Sequence, residues 1–244
     1  CRRIASMMPK PIRTLIVDDE RLARAELRRL LAAHPDIVIV GEAANAEEAL
    51  AQVAQLQPDL MLLDVQMPGA SGFDLLQALD TTPEVIFTTA FDQYALQAFE
   101  VNALDYLPKP IQAGRLAGAL QRAAQRLGMP ATGVSTPPRK LFIRDGGRCW
   151  FVALDRIRLF ESEGNYTRVY FDDVQPLMLR SLTQLEERLD PQQFLRASRR
   201  HIVNLAFVER MPGNHAGGLD LLLQDGMTVE VSRRRAAQAR SLGW

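Results

Sequence analysis

Five short apolar segments in the first half of the chain are separated by stretches with apolar residues at helical spacing. The segments have strand length and lack polar alternation, which is typical of strands buried on both faces of a sheet. Alternation of such strands with helices predicts an α/β domain built on a doubly wound parallel sheet. The five predicted strands are Thr14–Val17, Ile37–Val40, Leu60–Leu63, Val85–Phe87 and Tyr106–Leu107.

Polar residues suited to chemistry follow four of these strands. Right-handed crossovers bring the carboxyl ends of parallel strands to one edge of the sheet. In open α/β sheets of the flavodoxin-like class, ligands bind at that edge. We therefore expect one site to gather the residues that follow strands one, three, four and five, namely Asp18, Asp19, Asp64, Thr89 and Lys109.

These residue types at one edge indicate phosphoryl chemistry supported by a metal. Three carboxylates at one edge repel each other, and Mg²⁺ prefers such hard oxygen ligands. An aspartate can act as a nucleophile and become an aspartyl phosphate, while a lysine neutralises charge on the transferred group. Taken alone, an aspartate after a strand is usually a turn or cap residue. The prediction rests on the combination and its order along the chain.

The second half of the chain has a different character. Residues 1–128 hold 12 basic and 16 acidic residues, whereas residues 129–244 hold 17 basic and 13 acidic residues. Residues 129–138 contain three prolines and no charge, as expected for a semi-rigid linker. We expect a disordered segment at 1–10, an α/β domain at 11–128 and a second domain at 139–244.

No cysteine framework, secretory signal or membrane span is expected. The two cysteines, Cys1 and Cys149, form neither a disulfide pattern nor a metal motif. No apolar run approaches the roughly 20 residues needed to cross a membrane. The chain is therefore expected to be cytoplasmic and to make no contact with membranes.

The second domain is predicted to be mainly β. Short strands are separated by turns such as Asp145-Gly146-Gly147 and Asp225-Gly226. Only Ser181–Leu189, with a capping box at Ser181 and Gln184, and Arg233–Leu242 have helical patterns. This half contains no Gly-x-Ser-x-Gly motif and no phosphate-binding loop, which argues against an esterase or an ATPase. The predicted strands are Leu141–Arg144, Cys149–Val152, Ile157–Ser162, Arg168–Phe171, Leu177–Leu179, Ile202–Val203, Phe207–Met211, Leu219–Leu223 and Thr228–Val231.

The first domain resembles the receiver domain of bacterial response regulators. The resemblance lies in Val17-Asp18-Asp19-Glu20, Leu62–Gly69, Thr88-Thr89-Ala90 and Tyr106–Pro110. It implies that a sensor histidine kinase phosphorylates Asp64, and that Asp18, Asp19, Asp64 and the backbone carbonyl of Gln66 surround Mg²⁺.

The same resemblance implies a switch and a dimer. Thr89 and Tyr106 would form the switch pair, and Lys109 would contact the phosphoryl group. Thr89 is preferred to Thr88 because the hydroxyl residue of the family directly precedes a small residue, here Ala90. The Lys109–Pro110 bond is expected to be cis. The homodimer would use the receiver face formed by Asp92–Glu100, Tyr106 and Gln112–Leu127.

The second domain resembles the LytTR DNA-binding domain. The resemblance lies in Leu159–Tyr166, Phe194–Leu205 and Val229–Arg234. It implies that loops and a helix start enter successive major grooves of double-stranded DNA at direct repeats in promoters. Asparagine and arginine contact base edges, and arginine also neutralises phosphates. The residues carried over by position are Asn165, Thr167, Arg168, Asn214, His215, Arg233 and Arg234.

The leading hypothesis is a two-component response regulator that controls transcription and is not an enzyme beyond the phosphorylation chemistry of Asp64. One alternative is a magnesium-dependent phosphohydrolase with Asp64 or Asp18 as nucleophile. That class expects an Asp-x-Asp pair, whereas this chain has adjacent acids followed by Glu20 and Arg21. Another alternative gives the receiver a protein- or RNA-interaction output domain.

Overall fold

The first sheet has the strand order β2-β1-β3-β4-β5 and is parallel throughout. The computed structural model describes residues 10–90, 103–128, 139–146, 148–214 and 218–240. The strands are β1 Ile12–Val17, β2 Ile37–Ala43, β3 Leu60–Asp64, β4 Glu84–Thr89 and β5 Asp105–Pro108. The helices are α1 Arg21–Leu31, α2 Ala46–Leu56, α3 Gly72–Ala78 and α4 Ala113–Gly128.

Alternate side chains of the central strands pack into two apolar layers, one on each face of the sheet. Ile16 and Leu62 contact the layer formed with α1 and α4, to which Leu27 and Leu120 belong. Their neighbours in the strands pack on the opposite face with α2 and α3. The predicted doubly wound parallel sheet is therefore confirmed. Asn45 caps α2 as expected, since its side chain accepts a hydrogen bond from the Glu48 amide.

The remaining strands are antiparallel where their pairing is resolved. They are β6 Lys140–Asp145, β7 Arg148–Ala153, β8 Ile157–Glu163, β9 Tyr166–Phe171, β10 Leu177–Met178, β11 Phe194–Arg196, β12 His201–Asn204, β13 Val208–Arg210, β14 Leu219–Leu223 and β15 Thr228–Val231. Two sheets have the orders β10-β9-β8-β12-β11 and β13-β14-β15, and β6 pairs with β7. The helices are α5 Leu182–Glu186 and α6 Arg233–Arg240. The mainly-β prediction for this half is confirmed.

One strand and the bounds of several elements in this half differ from the sequence prediction, and the helix predicted over Ser181–Leu189 spans Leu182–Glu186. β11 was not predicted, because a three-residue strand is recognisable mainly through its antiparallel pairing with β12. The predicted strand Phe207–Met211 begins instead at Val208, because Leu205–Phe207 forms one turn of 3₁₀ helix. The Ser181–Gln184 capping box is present as predicted.

The chain divides into two compact units by contacts. Unit one takes residues up to 142 and 148–151, and unit two takes 143–147 and 152–244. The sequence boundary at 139 assigned the whole β6–β7 segment to the second domain. Phe142 and Cys149 are buried in the apolar layer of unit one, and the domain boundary at 139 stays a prediction.

Several predicted features lie outside the described residues. They are the disordered segment 1–10 (except Lys10), the linker 129–138, the receiver face 92–100 and His215. Among the described residues, no helix is both long enough and apolar enough to cross a membrane.

We predict that Asn204→Ala destabilises unit two. Asn204 is fully buried and donates to the Ile157 carbonyl at 2.8 Å, while its side-chain oxygen accepts from the Ala206 amide at 3.1 Å. Burial of backbone groups without partners costs about 1–3 kcal/mol, so urea unfolding of the full chain should show a loss of that size. The control Asn165→Ala changes an exposed residue. Equal unfolding free energies for Asn204→Ala and wild type would contradict this role.

Candidate functional site

The carboxyl edge of the parallel sheet carries an acidic cluster. Asp18 and Asp19 follow β1, and Asp64 is the last residue of β3. Their carboxylate oxygens lie within 4.8 Å of one another. Asp18 is 0% exposed and Asp64 is 4% exposed, while Asp19 is half-buried. The sequence prediction that these three residues converge agrees with this geometry.

Lys109 bridges two members of this acidic cluster. Its Nζ lies 2.8 Å from Asp18 Oδ2 and 2.7 Å from Asp64 Oδ2. It follows β5, which lies two strands away from β3 in the sheet. The Lys109–Pro110 peptide bond is cis, as predicted. The cluster of three carboxylates is thus offset by one ammonium group and retains an excess of negative charge.

Burial and charge act in opposite directions on these groups. Burial raises the pKa of Asp18, although the hydrogen bond and charge of Lys109 oppose this effect. Burial alone would lower the pKa of Lys109, but its hydrogen bonds and attraction to Asp18 and Asp64 outweigh that effect and raise it. Lys109 therefore remains protonated at neutral pH.

Backbone amides fix the remaining oxygens of the two buried aspartates. Asp18 Oδ1 accepts from the Glu20 amide at 2.9 Å, and Asp64 Oδ1 accepts from the Gln66 amide at 3.1 Å. Each carboxylate therefore has one oxygen held by the backbone and the other directed to Lys109. The contact also places the peptide of Gln66 beside Asp64, while a metal-binding role for the Gln66 carbonyl stays a prediction.

The start of α3 requires a glycine next to this site. A Cβ atom on Gly72 would lie 2.3 Å from the Asp64 carbonyl oxygen, far inside van der Waals contact. The Gly72 amide donates to the Val65 carbonyl at 2.9 Å, which draws the helix start against β3. Gly72 was not identified from the sequence as part of this site. The sequence feature that could have indicated it is its position directly after Ser71, the residue that caps α3.

The register of β4 and β5 places the side chains of Thr88 and Thr89 on opposite faces of the sheet. Phe87 pairs with Tyr106 and Thr89 with Pro108, and side chains alternate between faces along a strand. Thr89 therefore shares a face with Tyr106, while Thr88 points to the other. Both members of the predicted switch pair are buried, Thr89 at 1% and Tyr106 at 6% exposure. In the register of β3 and β4, Asp64 pairs with Thr88, and the choice of Thr89 as the switch residue stays a prediction.

The predicted DNA contacts near the β8–β9 turn have unequal access to solvent. Asn165 lies in the turn and is exposed. Thr167 is fully buried and its hydroxyl donates to the Arg180 carbonyl at 2.6 Å, so its side chain has no surface to offer DNA. Arg168 donates to both carboxylate oxygens of Glu163 at 2.6 and 2.7 Å. This pairing lowers the pKa of Glu163 and fixes the guanidinium of Arg168.

Asn214 is also engaged within its own turn. Its side chain donates to Asp220 Oδ1 at 2.9 Å and accepts from the Gly218 amide at 2.7 Å. These two bonds occupy both ends of the amide, which differs from the free base-reading side chain that the resemblance implied. Sequence reasoning could not detect this closure, because it depends on where β14 places Asp220.

Arg233 and Arg234 begin α6 with exposed side chains. The next arginine is different, since Arg235 Nη2 lies 2.6 Å from Glu186 Oε1. The first two arginines are thus presented to solvent, and the third ties α6 to α5. Of the predicted DNA contacts, Asn165, Arg233 and Arg234 are the most accessible in the described part of the chain.

Comparison with known families matches both halves. The profile of the response regulator receiver domain matches residues 14–121, and that of the LytTr DNA-binding domain matches residues 147–244. An uncharacterized response regulatory protein of Vibrio cholerae is 38% identical over 235 residues, covering 93% of this chain and 97% of that protein. The chain is a LytTR-type response regulator.

Two further relatives agree with this assignment. The transcriptional regulatory protein BtsR of Salmonella typhi is 38% identical, with coverage of 91% of this chain and 95% of that protein. The sensory transduction protein LytT of Enterococcus faecalis is 34% identical, with coverage of 90% and 93%. This response regulator therefore pairs a receiver domain with a DNA-binding output domain, as expected of a transcription regulator in a two-component system.

We predict that Lys109→Met tightens the binding of divalent cations to the acidic cluster of this response regulator. The substitution removes a positive charge that contacts Asp18 and Asp64 directly. A unit charge about 4 Å away contributes roughly 4 kcal/mol at an effective dielectric constant of about 20, so a gain of roughly tenfold or more is expected. Calorimetric titration with Mn²⁺ measures the affinity.

The control for this variant is Lys10→Met, which removes an exposed lysine from the same unit. It should leave the Mn²⁺ dissociation constant unchanged. Equal or weaker Mn²⁺ binding by Lys109→Met would show that Lys109 does not compete with a cation for these carboxylates.

Proposed function

We propose that a sensor histidine kinase phosphorylates Asp64 and that the modification controls dimerisation and DNA binding. The observation that carries this proposal is the position of the Asp64 carboxylate. It lies at the carboxyl edge of the sheet, within 4.8 Å of two other acids and 2.7 Å from the Lys109 ammonium. An aspartate in these surroundings suits the role of phosphoryl acceptor.

The donor set at this edge fits Mg²⁺. The ion would be held by the carboxylates of Asp18, Asp19 and Asp64 and by the carbonyl of Gln66, all hard oxygen ligands. When bound, Mg²⁺ would neutralise charge on the phosphoryl oxygens. The excess of carboxylates over ammonium groups in the cluster favours a divalent cation there.

Asp64 and Lys109 have different roles in the proposed phosphoryl transfer. A carboxylate oxygen of Asp64 forms a bond to phosphorus, and the bond from phosphorus to the nitrogen of the kinase phosphohistidine breaks. The imidazole leaves with the bonding electron pair and takes a proton from solvent. Lys109 stays protonated and stabilises the negative charge of the phosphoryl group as it arrives.

The switch and the dimer extend this proposal. Thr89 at the end of β4 would hydrogen-bond a phosphoryl oxygen, and Tyr106 on the same face would turn into the space that Thr89 leaves. The receiver face that includes Tyr106 and α4 would then favour a homodimer. Two copies of the output domain would bind direct repeats in promoter DNA, in the cytoplasm where the chromosome lies.

The alternatives have less support. The phosphohydrolase class considered has an Asp-x-Asp pair after its first strand, whereas this chain has Asp18-Asp19-Glu20. The match to a LytTr DNA-binding domain also favours an output other than catalysis. The same match favours DNA over RNA or protein as the partner of unit two.

For DNA, we propose that Asn165, Arg233 and Arg234 contact bases or phosphates. All three are exposed, and arginine and asparagine offer paired donors and acceptors to base edges. Arg168, held by Glu163, suits a fixed phosphate contact at the side of the same turn. Thr167 and Asn214 would act through the shape of their loops, because their side chains are already bonded within the fold.

We predict that Asp64→Asn abolishes phosphorylation. Wild type incubated with Mg²⁺ and acetyl phosphate should gain the mass of one phosphoryl group, and the variant should gain none because an amide is a poor nucleophile. Intact-protein mass spectrometry measures the gain. Asp36→Asn, which alters an exposed acid of the same unit, should behave as wild type. Phosphate incorporation by Asp64→Asn at the wild-type level would refute the assignment.

We predict that combined Arg233→Ala and Arg234→Ala weakens binding to DNA fragments selected by the full chain. A good base contact discriminates by about 1–3 kcal/mol, so the affinity should fall about tenfold or more in fluorescence anisotropy at fixed salt. Arg210→Ala removes an exposed arginine from β13 of the same unit and should have a small effect. Unchanged affinity of the double variant would show that the start of α6 does not contact DNA.

A further inference from the structure

The guanidinium of Arg24 contacts the backbone of the acid pair. Its Nη1 lies 2.6 Å from the Asp18 carbonyl oxygen and 3.2 Å from the Asp19 carbonyl oxygen. The side chain is 16% exposed. Parallel pairing of β1 ends at Val17, so these two carbonyls lie beyond the strand ladder and Arg24 supplies them with a charged donor.

Glu42 on β2 holds Arg24 in this position. Its carboxylate lies 3.4 Å from Arg24 Nε and 3.1 Å from Arg28 Nε. The backbone of Glu42 is fixed as well, because it pairs with Ile16 and its carbonyl accepts from Gln52 Nε2 at 2.6 Å. Contacts from β1, α1 and α2 therefore converge on the residue that orients Arg24.

The packing of α1 does not account for this arrangement. The helix buries Leu27, Leu30 and Leu31 against the sheet, and none of these contacts requires a guanidinium near Asp18. Glu20, the residue at the N-cap position before the helix, makes no side-chain capping hydrogen bond. Glu42 also offsets the positive charge of Arg24, which would otherwise repel a cation from the carboxylates nearby.

We propose that Arg24 is a positioning residue for the phosphorylation site, with Glu42 as its orienting partner. Arg24 fixes the turn from which Asp18 and Asp19 project, and so sets the affinity of the acidic cluster for a divalent cation. The inference rests on the proposed function of that cluster. It adds two residues that lie on α1 and on the edge strand β2, outside the motifs at the strand ends.

The test compares Arg24→Met with Arg28→Met in the full chain. Arg28 lies on the same helix and contacts the same glutamate, but its side chain is 53% exposed. Titration calorimetry with Mn²⁺ should show affinity weakened roughly tenfold in Arg24→Met, the size expected for loss of hydrogen bonds from a charged group. Arg28→Met should stay near the wild-type value.

A second readout separates positioning from a general structural role. With acetyl phosphate, Arg24→Met should need a higher Mg²⁺ concentration for its half-maximal phosphorylation rate, while the rate at saturating Mg²⁺ stays close to wild type. Unchanged Mn²⁺ affinity in folded Arg24→Met, or a lower maximal rate with unchanged half-saturation, would overturn the proposal.

Glu42→Gln provides a variant that keeps Arg24 and removes its anchor. It should weaken Mn²⁺ binding, because Arg24 is no longer oriented and its charge is no longer offset. If Arg24→Met fails to fold, Glu42→Gln tests the proposal instead. Unchanged Mn²⁺ affinity in Glu42→Gln would then overturn it. If wild type itself binds no Mn²⁺ and accepts no phosphate, the proposed function of the cluster fails instead.

Discussion

The bridge from Lys109 to Asp18 and Asp64 joins residues that follow three different strands of the parallel sheet. It is possible only because the carboxyl ends of these strands meet at one edge, with β4 between β3 and β5. The bridge holds two buried carboxylates 2.7–2.8 Å from one ammonium group. It also leaves more negative than positive charge in the cluster, which favours a cation there.

The bridge between Lys109, Asp18 and Asp64 has different neighbours on its two sides. Thr89 ends β4 between the strands that carry Asp64 and Lys109, and the register puts its side chain on the face of Tyr106. In the proposed switch, a phosphoryl group on Asp64 would draw Thr89 toward it and so leave space for Tyr106. On the other side, Arg24 and Glu42 fix the turn that presents Asp18 and Asp19.

The residues at this edge of the sheet could be predicted from the sequence, because the order of strands and helices determines that they converge. Once apolar strands alternate with helices, Asp18, Asp64 and Lys109 must lie together, whatever the details of the loops. Arg24 and Gly72 were not predicted, because their roles depend on distances across elements that no local pattern contains. The burial of Phe142 and Cys149 in the apolar layer of unit one likewise depends on packing between elements.

The predicted DNA contacts in unit two show more clearly what could not be predicted from the sequence. Residue type and position suggested seven contacts, but the availability of a side chain depends on its neighbours in the folded chain. Thr167 is buried, Asn214 closes its own turn and Arg168 is paired with Glu163. Asn165 and the first two arginines of α6 keep their side chains at the surface. Exposure and pairing therefore refine what the family resemblance implied.

We propose that phosphorylation of Asp64 controls DNA binding through the receiver domain. The most direct measurement is the binding isotherm of one DNA fragment, selected by the full chain, with phosphorylated and unphosphorylated protein at the same salt concentration. Because a dimer can engage two repeats at once, phosphorylation should shift the isotherm of wild type to lower protein concentration and leave that of Asp64→Asn in place. Coincident isotherms for unphosphorylated and fully phosphorylated wild type would contradict the account.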